Sequence, residues 1–111
     1  MTPEEFATAI GQIESGNNPN APLGDDGCAG GRYQIHYDWL WTWAFNHGIV
    51  PRVGETRDSV ETRTVQQFFT LHQTTMTPLG IAMYFHEGSI VHPGDPNWDQ
   101  EYADKFNAAV G

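Results

Sequence analysis

Basic residues are scarce in this chain: five Lys and Arg stand against fourteen Asp and Glu over 111 residues, a formal net charge of −9. Phosphate contacts need clustered Lys and Arg, so the composition argues against a nucleic-acid partner and disfavours an anionic membrane surface. The acidity reads as a solvated surface and names no partner by itself. Cysteine is scarcer still. Cys28 stands alone, which excludes an internal disulfide and leaves the fold to rest on packing. No apolar run approaches the roughly 20 residues that cross a bilayer, so no membrane insertion is expected. Met1 is followed almost at once by a helix start rather than by a basic and apolar leader, and no signal peptide is expected.

Aromatic and apolar residues are plentiful. With 39% hydrophobic residues, and four Trp, six Phe and four Tyr to fill a core, the length suits one domain over residues 1–111. Helix punctuation is legible along it. Thr2-Pro3-Glu4-Glu5 is a capping box with Pro at the first helical position, and Phe6, Ala9, Ile10 and Ile13 follow at helical intervals, predicting a helix that ends near Glu14 or Ser15. Trp39, Leu40, Trp43 and Ala44 predict a short second helix opened near Asp38 and closed by Gly48. Asp58-Ser59-Val60-Glu61 offers a second capping box for a longer helix carrying Val60, Val65, Phe68, Phe69 and His72. Thr77-Pro78 starts a fourth, near-continuously apolar helix that stops at Gly88 and reads as a buried one. Asp95-Pro96 is expected to cap a last helix with Trp98, Tyr102, Phe106 and Ala109 on one face.

Between the first two helices lies a stretch rich in Gly, Asn and Asp, Gln12 to Trp39. Its Asn-Pro, Asp-Asp-Gly and Gly-Gly steps supply tight turns and positive φ, so it reads as a folded-back loop or short β-hairpin rather than a linker. The predicted class is mainly α (α+β): about five helices with a small Gly-rich lobe. Glu14, at the end of the first helix, borders that lobe. A carboxylate there gains a raised pKa if neighbouring apolar segments desolvate it, and then serves as a general acid near neutral pH; on its own an isolated carboxylate is more often a surface charge.

The segments "ESGNNPNAP" and "GRYQIHYDW", with "AMYFHEGS" from Ala82 to Ser89, resemble the signature of the lysozyme-like superfamily. The likeness is to the lytic transglycosylases and the invertebrate-type lysozymes in particular, and the blocks occur in the right order. The resemblance implies a small lysozyme-like fold and cleavage of the β-1,4 bond between N-acetylmuramic acid and N-acetylglucosamine in peptidoglycan glycan strands. It implies Glu14 as the general acid, with Ser15, Tyr33, Gln34, Tyr84, His86 and Glu87 as substrate-binding residues. No cofactor and no metal are implied. Such an enzyme acts outside the cytoplasm, secreted, periplasmic or phage-delivered, and a monomer is the expectation.

The second carboxylate divides the two families. Hydrolysing lysozymes use another Asp or Glu, whereas lytic transglycosylases use one Glu and the substrate's own N-acetyl group, giving 1,6-anhydro products. Asp25 and Asp26, eleven and twelve residues after Glu14, are the candidates, Asp26 ahead on spacing; Gly-Asp-Asp-Gly is equally an ordinary turn. The scaffold departs from both relatives, with one Cys against a disulfide-dense family and "MYFHEG" where transglycosylases carry "AYNAG". A glycan-binding module that keeps the fold without catalysis is the alternative of a different class.

Other constellations are weaker. His86-Glu87 lacks the second His of a His-Glu-x-x-His zinc motif, since Ile90 stands in its place. Cys28 with His36, His86 or His92 would make a cysteine nucleophile pair, but no helix start follows it directly. Trp39 and Trp43 share a helix face and read as core, while Trp41 points elsewhere, to a sugar ring or the surface.

Overall fold

The computed structural model describes residues 1–24, 27, 29–36 and 40–111. Their regular structure is five helices and one two-stranded antiparallel sheet, in the order α1 (Pro3–Ser15), β1 (Ala29–Gly30), β2 (Ile35–His36), α2 (Leu40–Asn46), α3 (Arg57–His72), α4 (Pro78–Glu87) and α5 (Gln100–Val110). The radius of gyration, 13.3 Å, is that of a compact chain, about 13 Å for 100 residues. No described helix is long and apolar enough to cross a membrane.

Local chemistry sets the helix starts. At α1 the Thr2 hydroxyl accepts from the Glu5 amide at 3.0 Å while the Glu5 carboxylate accepts from the Thr2 amide at 2.9 Å, and these donors hold the Glu5 carboxyl below its ordinary range. At α4 the Thr77 hydroxyl accepts from the Gly80 amide at 3.1 Å with Pro78 at the first position. Two starts differ from the sequence expectation. The cap of α3 is Thr56, accepting from the Ser59 amide at 3.2 Å, because the Asp58 carboxylate is taken by Arg32. The cap of α5 is Asp99 rather than Asp95, whose carboxylate accepts from the His92 amide at 2.8 Å and whose carbonyl closes a turn onto the Trp98 amide at 3.0 Å. Trp98 therefore precedes α5, and Ala109 is exposed while Tyr102, Ala103 and Phe106 face inward. The expected opening of α2 at Asp38 lies outside the described residues, as do Trp39 and Cys28.

Helix α1 lies against α3 and α5, and α4 packs on both of those helices. Phe6 stacks on Phe69 with ring centroids 4.8 Å apart and faces Phe106 at 6.0 Å. Ile10, Phe68, Ile81 and Met83 complete the centre, and the burial of Ile81, Ala82 and Met83 accounts for the apolar run of α4. A second cluster joins Ala44 and Ile49 to Val60 of α3. Trp41 and Trp43 are half-buried against both clusters, Trp43 stacked on His47 at 4.1 Å and Trp41 beneath the Arg57 guanidinium, 5.9 Å from the ring centroid.

The sheet is a hairpin between α1 and α2, with Ala29 opposite His36 and Gly30 opposite Ile35. Two strands of two residues are too short to stand alone, so the hairpin depends on its anchors. Arg32 grips Asp58 of α3 through two parallel bonds, Nε to Oδ1 at 3.0 Å and Nη2 to Oδ2 at 3.1 Å, and reaches the Asn17 carbonyl at 3.1 Å. The Tyr33 and Thr62 hydroxyls lie 2.8 Å apart. Gly31, at φ +77°, lies against Glu61 of α3 so closely that a Cβ there would stand 2.5 Å from Oε2. Glu61 is 1% exposed; its Oε1 accepts from Arg57 Nε at 2.8 Å, and its Oε2 has no hydrogen-bond partner among the described residues. Burial pushes its carboxyl above the ordinary range, against the opposing pull of Arg57.

Candidate active site

A cleft of about 490 Å³ opens between the helical body and the hairpin. Its walls are Glu14 from the last turn of α1, residues 34–36 of the hairpin, Leu40 of α2 and residues 85–88 at the end of α4. Each wall arrives there for a local reason. Glu14 stands at the last turn because α1 stops two residues later at Gly16, and the side chain is half-buried. His86 and Glu87 stand at the rim because α4 ends at Glu87 and is capped by Gly88.

Gln34 is the strained member. It holds φ +48°, a left-handed conformation uncommon outside Gly, Asn and Asp, and its backbone amide closes the turn onto the Gly31 carbonyl at 3.2 Å. Its side-chain amide locks the conformation, Nε2 donating to the Gly31 carbonyl at 3.0 Å and the Pro22 carbonyl at 3.2 Å. The glycine-rich stretch and the hairpin are thereby tied together at the cleft wall.

Glu14 is held from the far end of the chain. The Tyr102 hydroxyl donates to Glu14 Oε2 at 2.9 Å. Tyr102 is 5% exposed, and burial first, then the neighbouring Glu14 carboxylate, drive its phenol well above the ordinary range, so it remains a donor. The His86 ring lies flat on the Tyr102 ring, centroids 3.9 Å apart at 11°. His86 Nε2 is 3.0 Å from Asp99 Oδ2 and 3.6 Å from Glu87 Oε1. Asp99 caps α5 through the Tyr102 amide at 3.1 Å, and that amide, then His86, hold its carboxyl below the ordinary range. A continuous set of contacts thus runs from Asp99 through His86 and Tyr102 to Glu14.

The residues singled out in the sequence divide into two groups. Gln34, His86 and Glu87 join Glu14 in the cleft walls. Ser15, Tyr33 and Tyr84 take supporting positions: Ser15 Oγ donates to the Arg32 carbonyl at 2.6 Å and accepts from the Asn18 amide at 3.0 Å, latching α1 to the lobe. Tyr33 is 3% exposed, its ring in the core and its hydroxyl on Thr62, and burial pushes its phenol up. Tyr84 meets Phe68 edge-on at 5.0 Å and lies 5.2 Å from the His72 ring. Asp25 and Asp26, the expected second acid, lie outside the described residues.

Sequence reasoning missed Tyr102 and Asp99 as neighbours of the site. Tyr102 was placed correctly on the inner face of the last helix, and the available signal was general: a buried tyrosine hydroxyl needs a polar partner. Compared with known proteins, the chain is matched by no family model, no curated relative and no solved structure.

Proposed function

We propose that the chain is a peptidoglycan-degrading glycosidase of lysozyme-like fold, a muramidase acting on the β-1,4 bond between N-acetylmuramic acid and N-acetylglucosamine, with Glu14 as general acid. The observation that carries this reading is the half-buried Glu14 carboxylate in the wall of a cleft, with Tyr102 fixing one of its oxygens at 2.9 Å. An alkoxide leaving group is poor and needs a proton in the transition state, from a carboxyl held at a fixed position. Tyr102, donating to Oε2, fixes the orientation of the carboxyl group. The cleft volume suits a sugar unit, and its polar rim of Gln34, His36, His86 and Glu87 suits hydroxyl and acetamido groups.

The second step then uses Asp25 or Asp26 as nucleophile or base, or, in a transglycosylase, the substrate's own N-acetyl group. One digestion decides among the readings. Purified peptidoglycan is incubated with the parent chain and with Glu14→Gln, and released fragments are analysed by mass spectrometry. Fragments with reducing ends, lost in Glu14→Gln, support the muramidase; 1,6-anhydro ends assign the chain to single-Glu transglycosylation instead. Binding to the polymer without release of fragments, unchanged in Glu14→Gln, overturns catalysis and leaves a glycan-binding module.

A further inference from the structure

His86, Glu87 and Asp99 bring one nitrogen and two carboxylate oxygens within 4.8 Å of one another. Two of the three separations are 3.0 and 3.6 Å. Donors about 2.0–2.1 Å from a shared tetrahedral centre stand about 3.3 Å apart, so these two spacings bracket what a small divalent ion demands. The donors are also held in orientation before any ion arrives. The His86 ring is fixed by its stack on Tyr102, and Asp99 by the bond from the Tyr102 amide to its other oxygen, Oδ1. Secondary contacts of this kind position metal ligands and raise affinity. The end of α4 adds a further attraction: His86 and Glu87 form its last two residues, where the helix dipole is negative and favours a cation.

From this arrangement we infer a binding site for a first-row divalent cation of the Zn²⁺ type, ligated by His86 Nε2, Glu87 and Asp99. A mixed nitrogen and carboxylate set suits Zn²⁺ and its neighbours rather than Mg²⁺ or Ca²⁺, which prefer oxygen alone. The three side chains are 30%, 25% and 39% exposed, so the remaining coordination positions open to solvent at the cleft rim, for water or another oxygen ligand. Sequence spacing concealed the site, because the third ligand is the residue that caps α5, thirteen residues beyond His86 and outside the His-Glu-x-x-His pattern. The inference is independent of the glycosidase reading: it concerns metal affinity, and it stands or falls without any cleavage assay.

The test is isothermal titration of the whole chain with ZnCl₂ in a non-coordinating buffer. One equivalent is expected to bind with micromolar affinity, while CaCl₂ and MgCl₂ produce no saturable heat. His86→Asn and Glu87→Gln should each weaken binding at least tenfold. Glu87→Gln substitutes a half-buried side chain at a helix end, and its circular dichroism spectrum is expected to match the parent, so its titration reads the site rather than the fold. His92→Asn, which removes the exposed His92–Asp95 pair, and Cys28→Ser should leave binding unchanged. Absence of saturable Zn²⁺ binding overturns the inference; so does parent-like binding by His86→Asn and Glu87→Gln, or loss of binding in His92→Asn or Cys28→Ser.

Discussion

Replacing Gly31 by Ala tests how the small lobe is seated on α3. Two costs add at this position. An L-residue at φ +77° pays about 1–2 kcal/mol for the left-handed conformation. The new Cβ would also stand 2.5 Å from Glu61 Oε2 and 3.2 Å from Cδ, an overpacking of a kind that costs about 1–3 kcal/mol. Gly54 separates the two. It has the same φ, +77°, with nothing within 4 Å of its added Cβ, so Gly54→Ala carries the conformational cost alone. The difference between the two variants should therefore be about 1–3 kcal/mol, roughly 4–12 °C in Tm for a domain of this size. Thermal and urea denaturation of both variants supply the measurement. In a Glu61→Ala background the excess should vanish, since the atoms that meet the Cβ are gone, and the double-mutant cycle reads that loss directly. Equal destabilisation by Gly31→Ala and Gly54→Ala, or an excess that survives Glu61→Ala, refutes the close seating of the lobe on Glu61.

Three further outcomes follow from the same contacts. Tyr102→Phe deletes the donor to Glu14 and should destabilise the fold by about 0.5–3 kcal/mol, measured by denaturation, the span from a neutral hydrogen bond to one on a charged group. For Glu61, burial raises the folded carboxyl above its ordinary 4.5, so the folded chain binds a proton there that the unfolded chain has released. That contribution to stability is complete below about 4.5 and is lost as pH rises through the folded value. Glu61→Gln mimics the protonated form, and its stability relative to the parent should grow between pH 4.5 and 8 in urea titrations; a constant difference across that window contradicts the assignment. Arg32→Ala removes two bonds to Asp58 and one to the Asn17 carbonyl, and amide hydrogen exchange should accelerate across residues 29–36 while α1 and α5 keep their protection.

What the sequence disclosed was mostly local. The Thr2 and Thr77 caps, the Gly48 and Gly88 stops and the buried run of α4 each depend on residues within a few positions, and each is where the pattern placed it. The Asp58 and Asp95 starts failed for a common reason: an Asp with the right spacing for a cap had a better partner elsewhere, Arg32 in one case and the His92 amide in the other. Ser15 illustrates the same limit at the site. Its position beside Glu14 was legible, but its latch on the Arg32 carbonyl depends on how the lobe folds back. Glu61 looked like the last residue of a capping box, yet Gly31 and Arg57 enclose it. Tyr102 and Asp99 meet Glu14 and His86 only through the docking of α5 on α1 and α4, and no spacing rule spans that distance.

The Tyr102–Glu14 bond joins residues 88 positions apart, and this sets an order of assembly during synthesis. Glu14 leaves the ribosome 88 residues ahead of its hydroxyl partner. At about 5–20 residues per second, several seconds separate the two. Throughout that interval the Glu14 carboxylate lacks its Tyr102 anchor, and His86 lacks both the Asp99 carboxylate and the ring it stacks on, so a nascent chain with every wall of the cleft already made still holds an unfinished centre. Completion of the site reports that α5 has been made and docked.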